Sequence, residues 1–203
     1  MAKATRPPPV FLSASAVGFY GTRGDEPLTE TAPAGSDFLA SVCVEWEARA
    51  RESRATRLVL LRTGLPLDAD GGALPKLSLP FRLFAGGRMG SGRQYFSWIH
   101  VDDWVRLVRW AIDTADVEGP VNLAAPNPVT NSEFARTLGQ VLHRPAVLPA
   151  PAFALRLLLG EMADALVLGG QRVLPAAALA RGFAFRYAEL RPALEQIFRS
   201  TSS

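Results

Sequence analysis

Residues 57–64, RLVLLRTG, form an apolar run that ends at a glycine, and this run constrains the fold more than any other stretch. It is short and does not alternate between apolar and polar residues, which is typical of a parallel strand covered on both faces. A similar strand is predicted at residues 10–13, directly after three prolines. Apolar residues with helical spacing lie between the two strands. The pattern therefore predicts a strand–helix–strand unit and, with it, a parallel α/β sheet.

The helix of this unit is predicted to begin after an N-cap at Ser36 and to end near Arg51. Its expected buried stripe consists of Phe38, Leu39, Val42, Cys43 and Trp46. Glu45 and Glu47 are expected on the solvated face of the helix, although one of the two could reach a cleft.

Residues 65–99 are rich in Gly and Pro, which predicts a long loop with one short helix. The segment is too apolar for a linker, so we expect it to lie against the body of the fold and to line a pocket. A further helix follows, with Asp102 or Asp103 as its predicted N-cap. The expected buried stripe of that helix consists of Val101, Val105, Val108 and Ile112.

The last third of the chain predicts one more strand and several helices. The strand is expected at residues 120–126, and TNSE at 130–133 has the form of a capping box that starts a helix through about Leu142. From residue 145 the composition shifts to Ala, Leu and Pro, which indicates short apolar helices. No uncharged apolar stretch approaches the ~20 residues of a membrane span, so we expect a cytoplasmic protein with no membrane contact.

The rare residue types exclude some classes of site. Cys43 is the single cysteine, which rules out an internal disulfide and fits a reducing compartment. His100 and His143 are far apart without metal-ligand spacing, so no metal site is expected. The net charge is +3, but the arginines are scattered rather than gathered with aromatic residues. We therefore expect no nucleic-acid partner.

Six stretches, taken in order, carry a family resemblance across nearly the whole chain. They are SASAVGFYG, LTETAPAGSDFLASVCVEWEA, LRTGLPLDADGGALPKL, GSGRQYFSWIHVDD, VNLAAPNPVTNSEFARTLG and LLLGEMADALVLGGQRVLPAAAL. Together they resemble the extended, epimerase-like branch of the short-chain dehydrogenase/reductase superfamily, and within it the YfcH-like epimerase family proteins. The resemblance implies an NADP-binding Rossmann fold with a substrate cleft and a C-terminal domain of unknown function.

The resemblance also implies a domain organisation. Residues 1–143 correspond to the C-terminal part of a Rossmann-like epimerase domain, with 65–99 as a substrate-side insert, and residues 144–203 form a small, mainly helical C-terminal domain. The expected fold is thus α/β, with a partial Rossmann-like parallel sheet built from the later strands only.

The family's glycine-rich turn, which brings the backbone close to the cofactor pyrophosphate, has no counterpart here. The nearest candidate is Gly18-x-x-Gly21-x-x-Gly24, which is followed by two acidic residues and a proline instead of a helix. We interpret it as a flexible turn. Relative to the family, the chain is expected to lack the phosphate-binding half, as a fragment, a truncated reading frame or a half-gene would. We therefore expect NADP binding by this chain alone to be weak or absent.

Reductases of the superfamily use a Tyr as acid/base and a Lys four residues later. None of the three tyrosines here is followed by such a lysine. The resemblance places the pair at Phe38 and Val42, or at Leu39 and Cys43 if the register shifts by one residue, and both pairs are apolar. The absence of Tyr-x-x-x-Lys leaves open whether the protein is an enzyme.

The remaining candidate catalytic residues are Ser15 and Tyr20. Ser15 matches the serine that holds the substrate oxygen in the family, and a turn serine bonded to the backbone is the alternative. Tyr20 is the phenol nearest to it and could replace the missing acid/base, although packing at a turn is favoured.

Two further groups of candidates follow from the resemblance. The loop after the second strand borders the nicotinamide in the family, which implies cofactor contacts by Arg62, Gly64, Leu65 and Pro66. Arg93 and His100 lie in the segment that contacts substrate, and a guanidinium suits an anionic group. The aromatic run Tyr95, Phe96 and Trp98 could form a dry wall around the Arg93 guanidinium. The alternatives are an exposed loop cation for Arg93 and a helix-start histidine bonded to the backbone for His100.

Two hypotheses of function result. The first is an NAD(P)-dependent epimerase or oxidoreductase-like protein that acts on a small and possibly anionic molecule. In this hypothesis the chain is the substrate-binding half of that protein. The second is a non-catalytic module derived from the same fold that binds a ligand or another chain. An open edge of the incomplete sheet also predicts self-association.

Overall fold

The fold is built around a small parallel sheet. The structure is a computed structural model and describes residues 7–53, 57–160 and 163–200. The strands are β1 (Phe11–Ala16), β2 (Pro27–Leu28), β3 (Leu58–Thr63), β4 (Leu65–Leu67), β5 (Tyr95–Phe96), β6 (Trp98–His100), β7 (Gly119–Leu123), β8 (Val129–Thr130) and β9 (Arg172–Val173). The helices are α1 (Phe38–Arg51), α2 (Leu74–Arg82), α3 (Val101–Asp113), α4 (Asn131–Leu142), α5 (Ala152–Leu159), α6 (Ala176–Ala180) and α7 (Leu190–Ser200).

The central sheet has the order β1–β3–β7, and β3 pairs in parallel with both neighbours. Residues Val59, Leu60 and Leu61 of β3 are buried, as the unalternating apolar run predicts. Ala14 of β1 is exposed, and no described strand pairs with the outer edge of β1. The predicted α/β class with a partial parallel sheet is confirmed, with β1, α1 and β3 as its strand–helix–strand unit.

Helix α1 differs from its prediction at the N-cap. Asp37, rather than Ser36, caps the helix, because its carboxylate accepts a hydrogen bond from the backbone N–H of Ala40 at 2.9 Å. The prediction of Ser36 as the cap is therefore wrong by one residue.

The buried face of α1 is also rotated from the predicted stripe. Its buried residues are Ala40, Cys43, Glu47 and Ala50. Phe38 and Trp46 were predicted inside, but their exposed fractions are 78% and 55%. The small side chains at three of the four buried positions let the helix backbone lie close to the sheet, which the bulkier stripe would not allow.

Helix α3 departs from its prediction in the same two ways. His100 caps it, since Nδ1 of the imidazole accepts the backbone N–H of Asp102 at 3.0 Å, so neither Asp102 nor Asp103 is the cap. Val105 and Ile112 of the predicted stripe are each 45% exposed. The residues buried instead are Asp103, Leu107 and Ala111.

The segment 65–99 contains more structure than the single predicted helix α2. The short strand β4 pairs in parallel with β6, and β5 pairs in antiparallel orientation with β8. Strands of two or three residues are too short to show a period in the sequence, which is why the prediction missed them. Side chains of this segment share an apolar core with α4 and α7, including Leu74, Phe96, Trp98, Leu138 and Leu194.

The C-terminal part follows its prediction closely. Thr130 caps α4 by accepting the backbone N–H of Glu133 at 3.2 Å, so the capping-box prediction is confirmed at its N-cap. Helix α5 ends at Gly160, and α7 packs against α4. Among the described residues no helix is both long and apolar enough to cross a membrane.

Candidate functional site

The parallel register places Ser15, Arg62 and Asn122 side by side on the three strands of the central sheet. All three side chains are buried. They lie near the carboxyl ends of their strands, which is where parallel α/β sheets form their ligand sites. With Glu47 from α1 and Tyr20 from the turn after β1, they form a connected polar group that we call the strand-end cluster.

Glu47 holds the centre of the strand-end cluster. Its carboxylate accepts hydrogen bonds from Arg62 Nε and Nη2 at 2.8 and 2.9 Å, and Oε1 also accepts the Ser15 hydroxyl at 2.9 Å. Both charged side chains are only 3% exposed. A buried guanidinium and carboxylate in this two-point geometry satisfy each other's charge and hydrogen-bonding groups. The solvated position expected for Glu47 is wrong, and the inward alternative is the one that the fold adopts.

Arg62 makes further contacts that enclose it. Nη1 donates to the Tyr20 hydroxyl at 3.0 Å and to the backbone carbonyl of Glu30 at 3.3 Å. The guanidinium carbon also lies 3.4 Å from the centre of the Phe19 ring. Burial lowers the pKa of Arg62, but the hydrogen bonds with Glu47 and Tyr20 outweigh burial and raise it overall. Arg62 is thus a fixed cation.

Tyr20 is fully buried and connects Arg62 to Asn122. Its hydroxyl donates to Asn122 Oδ1 at 2.6 Å, and the Asn122 amide in turn donates to the backbone carbonyl of Leu174 at 2.9 Å. Burial raises the pKa of Tyr20 above its usual value of 10.0, and the hydrogen bond from Arg62 opposes this shift only in part. An acid/base tyrosine of a reductase has its pKa shifted downward, so the surroundings of Tyr20 favour a structural role.

Ser15 and Cys43 lie where the resemblance places the catalytic centre. The Ser15 proton is directed to Glu47, and burial raises the pKa of the Cys43 thiol. Gly18 packs against the helix there, because a Cβ added to it would lie 3.6 Å from Leu39 Cβ and 3.9 Å from Cys43 Sγ. Leu39 and Cys43, rather than Phe38 and Val42, therefore face the turn after β1. Leu39 has no ionisable group and burial disfavours the thiolate of Cys43, so this pair does not reproduce the acid/base and cation of a Tyr–Lys pair.

In the loop at residues 62–66, for which cofactor contacts are predicted, two backbone N–H groups donate hydrogen bonds to other parts of the fold. Gly64 donates to the carbonyl of Leu123 at 3.0 Å, and Leu65 donates to the carbonyl of Ser97 at 2.8 Å. A Cβ on Gly64 would lie 2.1 Å from the Ser97 carbonyl oxygen, so only glycine fits there. Pro66 has no N–H, and Arg62 is enclosed. Cofactor contacts by Arg62, Gly64, Leu65 and Pro66 stay a prediction.

The described residues do not fit a complete dinucleotide. Its pyrophosphate needs free N–H groups at a helix N-terminus after a glycine-rich turn. Helices α1, α3 and α4 instead begin at Asp37, His100 and Thr130, whose side chains each accept a backbone N–H of the first turn. None of these three helices therefore supplies a phosphate cradle. Helices α2 and α5 begin without a side-chain cap, but neither follows a strand of the central sheet.

Arg93 lies outside the aromatic surroundings expected for it. Its side chain is exposed, while Phe96 and Trp98 are buried in the core shared with α4. The expectation of a guanidinium inside a dry aromatic wall is wrong, because β5 and β6 turn these rings toward the core. A substrate role for Arg93 stays a prediction.

His100 is buried, and both nitrogens of its ring form hydrogen bonds with other residues of the chain. Nδ1 accepts the Asp102 amide, which leaves Nε2 to donate to Gln196 Oε1 at 2.7 Å, and Tyr187 stacks on the ring at 4.0 Å. These contacts match the helix-start alternative. A substrate role for His100 stays a prediction that its contacts do not favour.

The neighbouring Asp103 holds the C-terminal segment. Its carboxylate accepts the backbone N–H groups of Arg186 and Tyr187 at 3.0 and 2.8 Å, and pairs with Arg106 at 2.5 Å. Ser97 acts similarly, since it donates to the Gln171 carbonyl at 2.6 Å and accepts the Val173 amide at 2.9 Å. Polar groups of the SWIHVDD stretch thus connect the Rossmann-like part to the C-terminal part.

Asn122 and Glu30 escaped the sequence-based prediction, and Glu47 was predicted only as the inward alternative. The Glu30 carboxylate accepts the backbone N–H of Asn122 at 3.1 Å and covers the outer edge of β7. One sequence signal could have revealed Glu47. Residues 40, 43, 47 and 50 have the spacing of a single helix face, and three of the four are Ala or Cys.

Comparison with known proteins identifies the family. Residues 150–197 match the family described as a domain of unknown function, DUF1731. The chain is 48% identical over 193 residues to an Arabidopsis thaliana protein named epimerase family protein SDR39U1 homolog, chloroplastic, and covers 55% of its length. It is 43% identical over 193 residues to the epimerase family protein YfhF of Bacillus subtilis and covers 63% of that protein. These matches include 95% and 94% of this chain. The chain spans only 55% and 63% of the length of these two curated relatives.

Solved structures agree with the sequence matches. A crystal structure of human epimerase family protein SDR39U1 (isoform 2) with NADPH superposes with a TM-score of 0.92 and 36% identity, and covers 98% of this chain and 68% of the human chain. A nucleoside-diphosphate sugar epimerase from Corynebacterium glutamicum gives a TM-score of 0.76 and 38% identity, with 97% of this chain and 39% of that chain covered. The chain belongs to the SDR39U1-like epimerase family proteins, with a Rossmann-like α/β fold and a C-terminal DUF1731 domain.

Proposed function

We propose that this chain forms the substrate side of an NADP(H)-dependent, epimerase-like oxidoreductase. The observation that carries the proposal is the TM-score of 0.92 with a relative whose structure contains NADPH. The loop at residues 62–66, after β3, is the proposed border of the nicotinamide. The substrate is a small molecule, and a relative named as a nucleoside-diphosphate sugar epimerase supports an anionic one. A cytoplasmic location stays a prediction.

The roles of the individual residues follow from the contacts described above. Apolar Leu39 and Cys43 face the turn after β1, and the strand-end cluster uses its polar groups internally. The proposal therefore contains no proton transfer by a Tyr–Lys pair. Catalytic roles for Ser15 and Tyr20 stay predictions, which the hydrogen bond from Ser15 to Glu47 and the raised pKa of Tyr20 do not favour.

A second candidate is a non-catalytic module that binds a ligand or another chain. The specific observation in its favour is the absence of the acid/base pair together with the engagement of Ser15 by Glu47. It keeps the same fold and the same cofactor border. The two candidates differ in whether the bound cofactor exchanges a hydride with a substrate.

Fluorescence titration of NADPH tests the cofactor part. We expect weak binding to the 203-residue chain, because the described residues supply no pyrophosphate cradle, and tighter binding to the longer Bacillus subtilis relative. A submicromolar dissociation constant for this chain alone would contradict the proposal that it contributes only the nicotinamide border.

Turnover distinguishes the two candidates. The Bacillus subtilis relative is incubated with NADPH and a panel of simple ketones and keto nucleotide sugars, and separately with NADP+ and nucleotide sugars that carry free hydroxyl groups. Loss or formation of the reduced cofactor is followed by absorbance. Either change, when it depends on one of these substrates, supports the oxidoreductase. Binding of the cofactor without either change across both panels favours the module.

The outer edge of β1, with which no described strand pairs, supports a separate proposal of self-association. An uncovered parallel strand presents backbone N–H and C=O groups that pair readily with another strand. We expect light scattering to show oligomers whose mass rises with concentration. A stable monomer at high concentration would refute this proposal while leaving the cofactor proposal intact.

A further inference from the structure

A groove rich in arginine runs along α4, outside the strand-end cluster. It consists of two adjoining pockets of about 600 and 270 Å³, which share Arg136, Ala146 and Val147. Arg144 lines the larger pocket and Arg88 the smaller. We call this surface the α4 groove. Its combined size falls within the range of small-molecule sites.

The shape of the α4 groove is set by backbone contacts. His143 adopts a left-handed conformation with φ of 53° and turns the chain back along α4, where the backbone N–H of Arg144 donates to the Gly139 carbonyl at 2.8 Å. A Cβ on Gly139 would lie 2.8 Å from the Arg144 carbonyl oxygen and 2.9 Å from Ala146 Cβ. The returning segment can therefore lie directly on the helix, which gives the groove a fixed floor.

The wall of the α4 groove that faces away from the helix, where residues 147–150 run beside residues 86–88, is held by hydrogen bonds as well. The backbone N–H groups of Leu148 and Ala150 donate to the carbonyls of Gly86 and Arg88 at 3.1 and 2.9 Å. Gly87 packs tightly there, since a Cβ on it would lie 2.1 Å from the Leu148 carbonyl oxygen. A preformed groove loses little conformational freedom when a ligand binds.

The arginines of the α4 groove lack carboxylate partners among the described residues. Arg88 donates to the Gly90 carbonyl, Arg144 donates to the His143 carbonyl and lies 4.7 Å from the Phe84 ring centre, and Arg136 is exposed. No Asp or Glu lines either pocket. Some exposed arginines elsewhere do pair with acids, as Arg156 does with Asp164 at 2.8 Å. The groove therefore concentrates positive charge that the protein itself does not neutralise.

Apolar surface accompanies this charge. Val147 is 74% exposed and lies in both pockets beside Ala146.

We propose that the α4 groove binds a phosphate monoester whose organic part is small and apolar. The dianion suits forked guanidinium donors, and the Val147 side supplies contact for the organic part. This site is separate from the cofactor border and does not depend on the proposed function.

Nuclear magnetic resonance titration of the ¹⁵N-labelled chain tests the proposal, with phenyl phosphate as probe and inorganic phosphate and benzoate as comparisons. We expect saturable shifts of the Gly139 and Val147 amides with phenyl phosphate. Benzoate tests whether a single negative charge suffices, and inorganic phosphate tests whether the apolar part contributes. Equal affinity for phenyl phosphate and either comparison compound would overturn the proposed ligand class.

Variants locate the binding site. The double variant Arg136→Gln/Arg144→Gln should bind phenyl phosphate about tenfold more weakly, since two charge-assisted contacts are removed. Arg109→Gln is the matched control, because Arg109 is also exposed but lines a different pocket. The substituted side chains are on the surface, and the spectra themselves report whether each variant is folded. Unchanged binding by the double variant, or an equal loss in the control, would refute the proposal.

Discussion

Arg62 in the strand-end cluster and Arg136 in the α4 groove place the same guanidinium in opposite surroundings. Arg62 is 2% exposed and donates to Glu47, to Tyr20 and to a backbone carbonyl. Arg136 is exposed and forms no ion pair with any described residue. The first arginine holds three elements of the fold together, whereas the second remains available to an anion from solution.

Position in the fold, rather than residue type, decides whether each of these two charges serves stability or binding. The strand-end cluster lies where α/β folds form their ligand sites, yet its members satisfy one another. The α4 groove lies on the surface, where no internal partner has to be displaced before a ligand binds. Four substitutions test this contrast, and their expected effects on the free energy of unfolding decrease in order.

The largest effect is expected for Glu47→Gln. Removal of the carboxylate leaves the Arg62 cation buried without a counter-charge, which should lower the free energy of unfolding by about 3–5 kcal/mol. Denaturant unfolding followed by circular dichroism measures it. Glu45→Gln on the exposed face of the same helix is the control, with an expected change within about 0.5 kcal/mol. Equal effects of the two substitutions would show that the ion pair is not central to stability.

Tyr20→Phe should have the next largest effect. It removes the hydroxyl that lies between Arg62 and Asn122, and the unsatisfied groups should lower the free energy of unfolding by about 1–3 kcal/mol. A change below the error of the same unfolding experiment would mean that the two partners find new hydrogen bonds.

The contribution of Tyr20 to the free energy of unfolding should decrease at high pH. Because burial raises the pKa of Tyr20 in the folded chain above its usual 10.0, the unfolded chain loses this proton first as the pH rises. The stabilising contribution is complete below pH 10.0 and disappears as the pH rises through the folded-state pKa. Wild type should therefore lose more stability above pH 10.0 than Tyr20→Phe does. Parallel curves for the two proteins would contradict the shift.

Ser15→Ala should have a smaller effect. The Ser15 hydroxyl is one of three donors to Glu47, and the two bonds from Arg62 remain after its loss. We expect the free energy of unfolding to fall by about 1 kcal/mol. A loss as large as that of Glu47→Gln would show instead that Ser15, rather than the ion pair, organises the cluster.

The smallest effect is expected for Arg136→Gln. The side chain is exposed and has no ion pair to lose, so the free energy of unfolding should change by no more than about 0.5 kcal/mol. Differential scanning calorimetry in buffers without phosphate measures it. A marked destabilisation would mean that Arg136 supports the fold, and the contrast with Arg62 would then fail.

The elements show how far sequence-based prediction reaches. The βαβ unit was predicted because its strands are apolar on both faces, and the α4 cap because Thr130 and Glu133 have the spacing of a capping box. The buried faces of α1 and α3 were not predicted, because each includes a side chain with a carboxyl group, Glu47 in α1 and Asp103 in α3. A stripe assigned by hydrophobicity places carboxylates outside, whereas these two point inward toward specific donors.

Residue types and their spacing along the chain are enough to define the parallel α/β class and the absence of a Tyr-x-x-x-Lys pair. Which charges are neutralised depends instead on how the chain folds. Glu47 and Arg62 are adjacent because α1 packs on β3, and the α4 groove exists because the chain turns back over Gly139. An electrostatic interaction depends on the distance between groups in space, and residues far apart in the sequence acquire that distance only on folding.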